Sequence, residues 1–213
     1  MHDRIFLPIA RQLEKVKCLD YRQQYSADTY LFFFFTFAVI GWAWEVVIFI
    51  VQKGIVVNRG MLLGPWLPIY GVGGVLILLL LRRFAENKLF TFVLVMALCT
   101  VLEYTAGWLI ESATGIRWWD YSAYPFNISG RVCLYGAMAF GLGGTALIYV
   151  LAPLLDNLYR KIPVRAKYIL GIIFLLLFLA DVTYSHFYPN TGYGITEYSR
   201  AENIGLAVQH KYI

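Results

Sequence analysis

The sequence predicts an all-α fold, a polytopic membrane helix bundle of about five transmembrane helices preceded by an N-terminal interfacial helix. Three observations carry that prediction. The chain of 213 residues is 60% hydrophobic and only 15% charged, against about 25% charged in ordinary soluble domains, and its mean hydropathy is +0.62. Apolar runs near the length that crosses about 30 Å of hydrocarbon occupy 30–52, 62–81, 89–113, 132–155 and 168–184. Lysines and arginines favour alternate gaps between those runs, which is how a spanning chain obeys the positive-inside rule.

Three regions follow: 1–29 as a cytoplasmic amphipathic segment, 30–184 as the transmembrane bundle, and 185–213 as an extracytoplasmic polar tail. In the first, Phe6, Ile9, Leu13 and Val16 fall at helical spacing with Arg11 and Lys15 between them. That pattern fits a helix on the membrane surface and one packed on the protein's own turns equally well. Ser26 or Asp28 is placed to cap the first spanning helix. The first run follows a polar segment and no small-residue cleavage site succeeds it, so it is expected to be retained.

Within that run, the four phenylalanines at 32–35 are expected to face lipid. Trp42 and Trp44 suit the headgroup boundary, and Glu45 lies about 10 Å below the helix end. The second run opens with "GPWLPIYGVGG". Its prolines remove helix hydrogen bonds, which leaves open a kinked, closely packed helix and a broken or re-entrant one. In the third, Glu103 near the middle and Glu111 near the end share one broad face, about 80° apart at 100° per residue. The fourth presents Gly136, Gly141, Gly143 and Gly144 for close packing, and the fifth carries Asp181 near its far end. Reading along the chain gives no repeat period, low-complexity tract or second soluble domain.

Charge fixes an expected orientation. Arg4, Arg11, Lys15, Lys17, Arg22, Arg82, Arg83, Lys88, Arg160, Lys161, Arg165 and Lys167 fall on one side. Lys53, Arg59, Arg117, Arg131, Arg200 and Lys211 fall on the other, so the N-terminus is expected to be cytoplasmic and the C-terminus extracytoplasmic in the cell membrane. The net charge of +5 flanks apolar spans instead of forming a basic and aromatic patch, so nucleic acid is not an expected partner. Cys18, Cys99 and Cys133 lack paired spacing and His2, His186 and His210 are scattered, so neither a disulfide framework, a metal site nor a cofactor is expected.

Candidate site residues come from sorting the acids. Glu45, Glu103, Glu111, Asp120 and Asp181 all fall in or above the extracytoplasmic half, facing Arg59, Arg117 and Arg131. An ionisable group inside a membrane is costly and marks function by default. Glu45 and Glu103, the deeper pair, are therefore candidates for proton coupling. Glu111, Asp120 and Arg117 fit a structural staple as well as a binding role, because arginine pairs in bidentate fashion with carboxylate and phosphate alike. Trp118, Trp119, Tyr121 and Tyr124 read as an interfacial belt.

The segments "GWAWE", "NRGMLLGPWLPIYGVGG" and "IESATGIRWWDYSAYPFNISGRVCLYGAMAFG" together resemble the CmpB-like putative ABC-transporter type IV family of bacterial integral membrane proteins, from Leu31 to about Asp181. The resemblance extends the candidate set to Glu45, Arg59, Glu103, Glu111, Asp120, Asn127 and Arg131. One departure is Phe140, where tryptophan is expected before the glycine. The resemblance implies a permease-like component. The chain has no G-x-x-x-x-G-K-[ST] loop, so an ABC-type role implies separate ATPase subunits.

Three functions compete. A transporter permease-like or substrate-capture subunit would take a small anionic or zwitterionic solute or a lipid headgroup into an outward-facing polar pocket, beside a broken helix. A membrane-embedded enzyme would work on a lipid or lipid-linked substrate at the outer leaflet; no recognised catalytic signature supports it, and it ranks second. A non-catalytic assembly or sensor component would use the same charges only as structure. The lipid bilayer is the common partner of all three.

Overall fold

A computed structural model describes residues 19–115 and 117–196. The amphipathic helix expected within 1–18 and the distal tail from 197 lie outside the described residues. The described chain is helical apart from one short hairpin. Helix α1 spans Ala27–Lys53, α2 spans Pro68–Leu76, α3 spans Lys88–Thr114, α4 spans Leu134–Ala146, α5 spans Ala152–Tyr159 and α6 spans Val164–Phe187. Strands β1 (Asn127–Ile128) and β2 (Val132–Cys133) pair antiparallel with Asn127 opposite Cys133 and Ile128 opposite Val132. A π-helical segment, Ile77–Leu81, continues α2, and another, Leu147–Leu151, joins α4 to α5 without a break.

Four helices are long and apolar enough to cross a membrane: Ala27–Lys53, Lys88–Thr114, Leu134–Tyr159 and Val164–Phe187. The second apolar run builds the shorter α2. Its first part is irregular and descends beside α1, where the Leu67 N–H donates to Ala38 O at 3.0 Å and the Trp66 ring meets Phe35 at 6.4 Å. Ala38 lies well inside α1, so α2 begins part-way through the layer. Of the two alternatives for this run, the broken or re-entrant one matches the geometry. Proline is the local cause: Pro68 stands at the first turn of α2, where a missing N–H costs nothing, and denies the preceding residues a helix.

The core differs from the lipid-facing wall of phenylalanines expected for α1. Phe32, Phe33, Phe35 and Phe37 are all buried. Phe33 stacks on Phe37 at 5.2 Å, Phe32 meets Tyr159 at 5.3 Å, and Phe35 meets Phe174 and Phe178 of α6. The rings turn inward because α2 and α6 close on either side of α1. In lipid, helix contact is driven by packing, since both sides of the exchange are apolar. Large rings therefore stabilise the bundle only where small residues let the partner approach. Gly71 is such a residue: a Cβ there would stand 2.6 Å from Phe34 O.

The far ends are held by polar contacts. Asp156, 1% exposed, accepts from Thr29 Oγ1 at 3.2 Å and from Arg160 Nε at 2.7 Å. Lys167 pairs with Asp28 at 3.2 Å. Ser26 occupies the N-cap position of α1, yet its side chain makes no capping bond. Its hydroxyl meets Thr29 Oγ1 instead, at 3.0 Å, so the cap expected from Ser26 or Asp28 is replaced by side-chain pairing.

Candidate functional site

The loop between α3 and β1 folds back into the bundle. Gly115 ends α3 in the left-handed conformation with φ 69. Asn127 then pins the turn: its amide donates to Tyr124 O at 2.8 Å and its carbonyl accepts from Gly130 N at 3.1 Å. Gly130, at φ 66, is needed there, because a Cβ would come within 2.9 Å of the Arg117 guanidinium. Asp120 accepts from Ser122 N at 2.9 Å and Ser122 Oγ at 2.6 Å. Burial alone would raise the Asp120 carboxyl, but the Ser122 bonds and the Arg117 charge hold it below the ordinary aspartate range.

Above the bundle, Glu111 joins two arginines. Arg117 Nη2 reaches it at 2.9 Å and Arg131 Nη2 at 2.8 Å. Arg117 also meets Asp120 at 3.3 Å, and its guanidinium is raised above its usual value, first by the bond to Glu111. Arg131 additionally lies over the Tyr104 ring at 5.5 Å, and its backbone carbonyl accepts from Trp119 Nε1 at 2.8 Å. The belt expected at 118–124 is thus mostly turned inward. Trp118 is buried, Trp119 is tied to Arg131, and Tyr121 enters the bundle; Tyr124 is the exposed member. The Trp119 indole is held by the Arg131 carbonyl of the same hairpin, and the Tyr121 phenol is drawn in by Glu103 of α3.

Lower in the bundle, Glu45 accepts from Tyr70 Oη at 2.7 Å and pairs with Arg59 at 3.3 Å. Arg59 rests over the Phe49 ring at 5.1 Å. Its loop is anchored by Asn58, which accepts from Trp42 Nε1 at 2.6 Å. Glu103 differs. It is 6% exposed, accepts from Tyr121 Oη at 3.1 Å, and its Oε2 has no hydrogen-bond partner among the described residues. Burial, followed by the charges of Glu103 and Glu45, pushes the Tyr121 phenol well above its ordinary value, so both carboxylates act on one hydroxyl.

A family model matches residues 32–186, with the description Putative ABC-transporter type IV. The chain belongs to that family. No curated protein and no solved structure matches it. All seven candidates from the sequence, Glu45, Arg59, Glu103, Glu111, Asp120, Asn127 and Arg131, lie within the region shared with this ABC-transporter-like membrane family.

The structure brings them together in two tiers. Glu111, Asp120, Asn127 and Arg131 form the upper network with Arg117; Glu45, Arg59 and Glu103 form the lower. Two lower-tier residues lie in the segments that carry the family resemblance but not in the candidate site set: Tyr70, in a run read for its glycines and prolines, and Tyr121, read as a surface anchor. Asp181 joins neither tier. It accepts from Leu63 N at 3.1 Å, Gly64 N at 2.9 Å, Trp66 Nε1 at 2.6 Å and Ser185 Oγ at 3.0 Å, and so fastens the re-entrant loop.

Proposed function

We propose that this family member is a permease-like or substrate-capture subunit whose polar pocket takes a small anionic or zwitterionic solute or a lipid headgroup from the extracytoplasmic side. The observation that carries the reading is a set of buried donors. Arg59 Nε, Arg131 Nε and Trp118 Nε1 have no hydrogen-bond partner among the described residues. Arg59 and Arg131 each lie beside a carboxylate, and all three groups can donate to the oxygens of a phosphate or carboxylate. Leaving such donors unmet inside a membrane protein costs about 1–3 kcal/mol each, a cost that an acceptor-rich ligand removes.

The re-entrant loop supports the same reading, since irregular backbone at membrane depth is sustained where it lines a site. With the N-terminus cytoplasmic, Arg22, Arg82, Arg83 and Glu86 ring a cleft of about 280 Å³ on the cytoplasmic face, where a separate ATPase subunit would dock. Native mass spectrometry of gently purified protein tests both parts by reporting bound solute or lipid and any ATPase subunit. Uptake into proteoliposomes that is unchanged in Arg131→Ala and Glu45→Gln would overturn the reading. Labelling of a cysteine at position 122 only from the cytoplasm would overturn its orientation.

A further inference from the structure

Although no single period runs along the chain, its two halves match element by element. Leu31, Phe32 and Phe34 of α1 align with Leu89, Phe90 and Phe92 of α3, and on the same register Glu45 aligns with Glu103. After each long helix comes a left-handed glycine, Gly60 and Gly130, each followed two residues later by a buried aliphatic, Leu62 and Val132. Then come "YGVGG" at 70–74 and "FGLGG" at 140–144, each running into a π-helical segment, Ile77–Leu81 and Leu147–Leu151. The longer hairpin loop of the second half shifts the register between these two sets of matches, which hides the repeat from a fixed-period reading.

The packing repeats as well as the letters. A Cβ on Gly71 would strike Phe34, and one on Gly141 would strike the aligned Phe92; Gly74 abuts Phe37, and Gly144 the aligned Val95. Both long helices run in one direction and both short ones return, so the halves are parallel repeats about an axis along the bundle. Tyr70 and Phe140, aligned with each other, touch at 5.8 Å, which places the axis between them. Glu45, which accepts from Tyr70, and the aligned Glu103 stand on either side of it.

The two copies are not chemically equal. Glu45 has Arg59, whereas Ser129 stands at the aligned position before Gly130. Two carboxylates and one guanidinium leave this core with one unmatched negative charge, at the acid whose Oε2 is buried without a partner. We infer that Glu103, with Tyr121 and across the axis from the arginine-locked Glu45, binds one monovalent cation, a proton or a sodium ion, per chain.

The groups facing Glu103 are Tyr121 of the hairpin, Glu45 of α1, Tyr70 of α2, Cys99 one turn away on α3, and Cys133 at the start of α4. The inference deepens the coupling side of the proposed function and does not depend on which solute is carried. Thermal unfolding of the full-length protein in detergent tests it, with sodium titrated against choline at fixed pH and with pH lowered in choline alone. A ligand that binds only the folded state raises the midpoint with the logarithm of its concentration once that exceeds the dissociation constant.

The expected result is a concentration-dependent rise in one arm, sodium or proton, which identifies the cation, and its loss in Glu103→Gln. Tyr121→Phe, which keeps the ring, removes a hydrogen bond that favours the ionised carboxylate and should shift the response about tenfold, a proton response moving to higher pH because the carboxylate loses its donor. Arg59→Gln should add a second response by leaving Glu45 in the condition of Glu103. No response of the wild-type protein in either arm, or an equal response in Glu103→Gln and Tyr121→Phe, overturns the inference. Arg131→Ala should abolish solute uptake while leaving the cation response intact, so failure of the uptake reading is distinguishable from failure of this one.

Discussion

Asp181 and Glu103 are both acids set within long apolar helices, and both meet a loop that folds into the bundle. Asp181 receives four donors, two of them loop amides. Glu103 receives one, from Tyr121. The difference separates scaffold from site. A carboxylate whose lone pairs are filled by its own chain has little left to offer a ligand, while one that keeps a buried oxygen unfilled carries a cost that a ligand can lift.

The largest expected effect lies on the scaffold side. Asp181→Ala would leave two loop amides, the Trp66 indole and the Ser185 hydroxyl without their acceptor, and should cost on the order of 4 kcal/mol at about 1–3 per orphaned group. Loss of monodisperse protein after extraction, or a steep fall in unfolding temperature, checks it. A stable Asp181→Ala protein would break the comparison, because filled lone pairs would then not mark a structural acid.

Next in size are the glycines that let the helices close. Gly71→Ala and Gly141→Ala should each destabilise by about 1–3 kcal/mol through overpacking, since a Cβ would come within 2.6 Å of Phe34 O in one and of Met96 Cγ in the other. Gly143→Ala, with nothing within 4 Å, should leave the unfolding temperature unchanged. Comparable costs at Gly71 and Gly141 sharpen the equivalence of the two halves; a cost confined to one of them breaks it.

Glu103→Gln belongs on the site side. It should keep or slightly raise stability, because it removes a buried charge that lacks a cationic partner, while uptake into proteoliposomes falls. A destabilisation as large as that of Asp181→Ala would place Glu103 with the scaffold.

The smallest effect concerns the upper loop. Asp120 titrates below its ordinary range in the folded protein, so its contribution is present above the unfolded aspartate value, near pH 4, and is lost as pH falls through the lower folded value. The protection of the hairpin amides, taken relative to their intrinsic exchange rate at each pH, should therefore fall in acid, by an amount worth less than about 1 kcal/mol for a partly exposed pair. Asp120→Asn should flatten that pH dependence.

Much of this was legible in the sequence. The long apolar runs specify helices because lipid permits no unpaired backbone, and the embedded acids stand out because charge is rare there. Pro65 and Pro68 marked the stretch before α2 as irregular, though a kink and a break fitted them alike. Other features were not legible, for identifiable reasons. Four consecutive phenylalanines look the same whether lipid or protein surrounds them, and Tyr121 reads as an anchor until its hydroxyl is seen beside Glu103. The repeat was hidden because unequal loops shift the register between its parts.

The sequence by itself determined that this chain is a helical bundle with acids embedded in its apolar runs, because hydropathy, proline chemistry and the cost of embedded charge act locally along the chain. Which arginine pairs with which acid, and which acid keeps an unfilled oxygen, was decided only in the tertiary structure. Pairing depends on distances across helices, and two loops of unequal length delivered Arg59 to Glu45 while leaving Glu103 with a phenol.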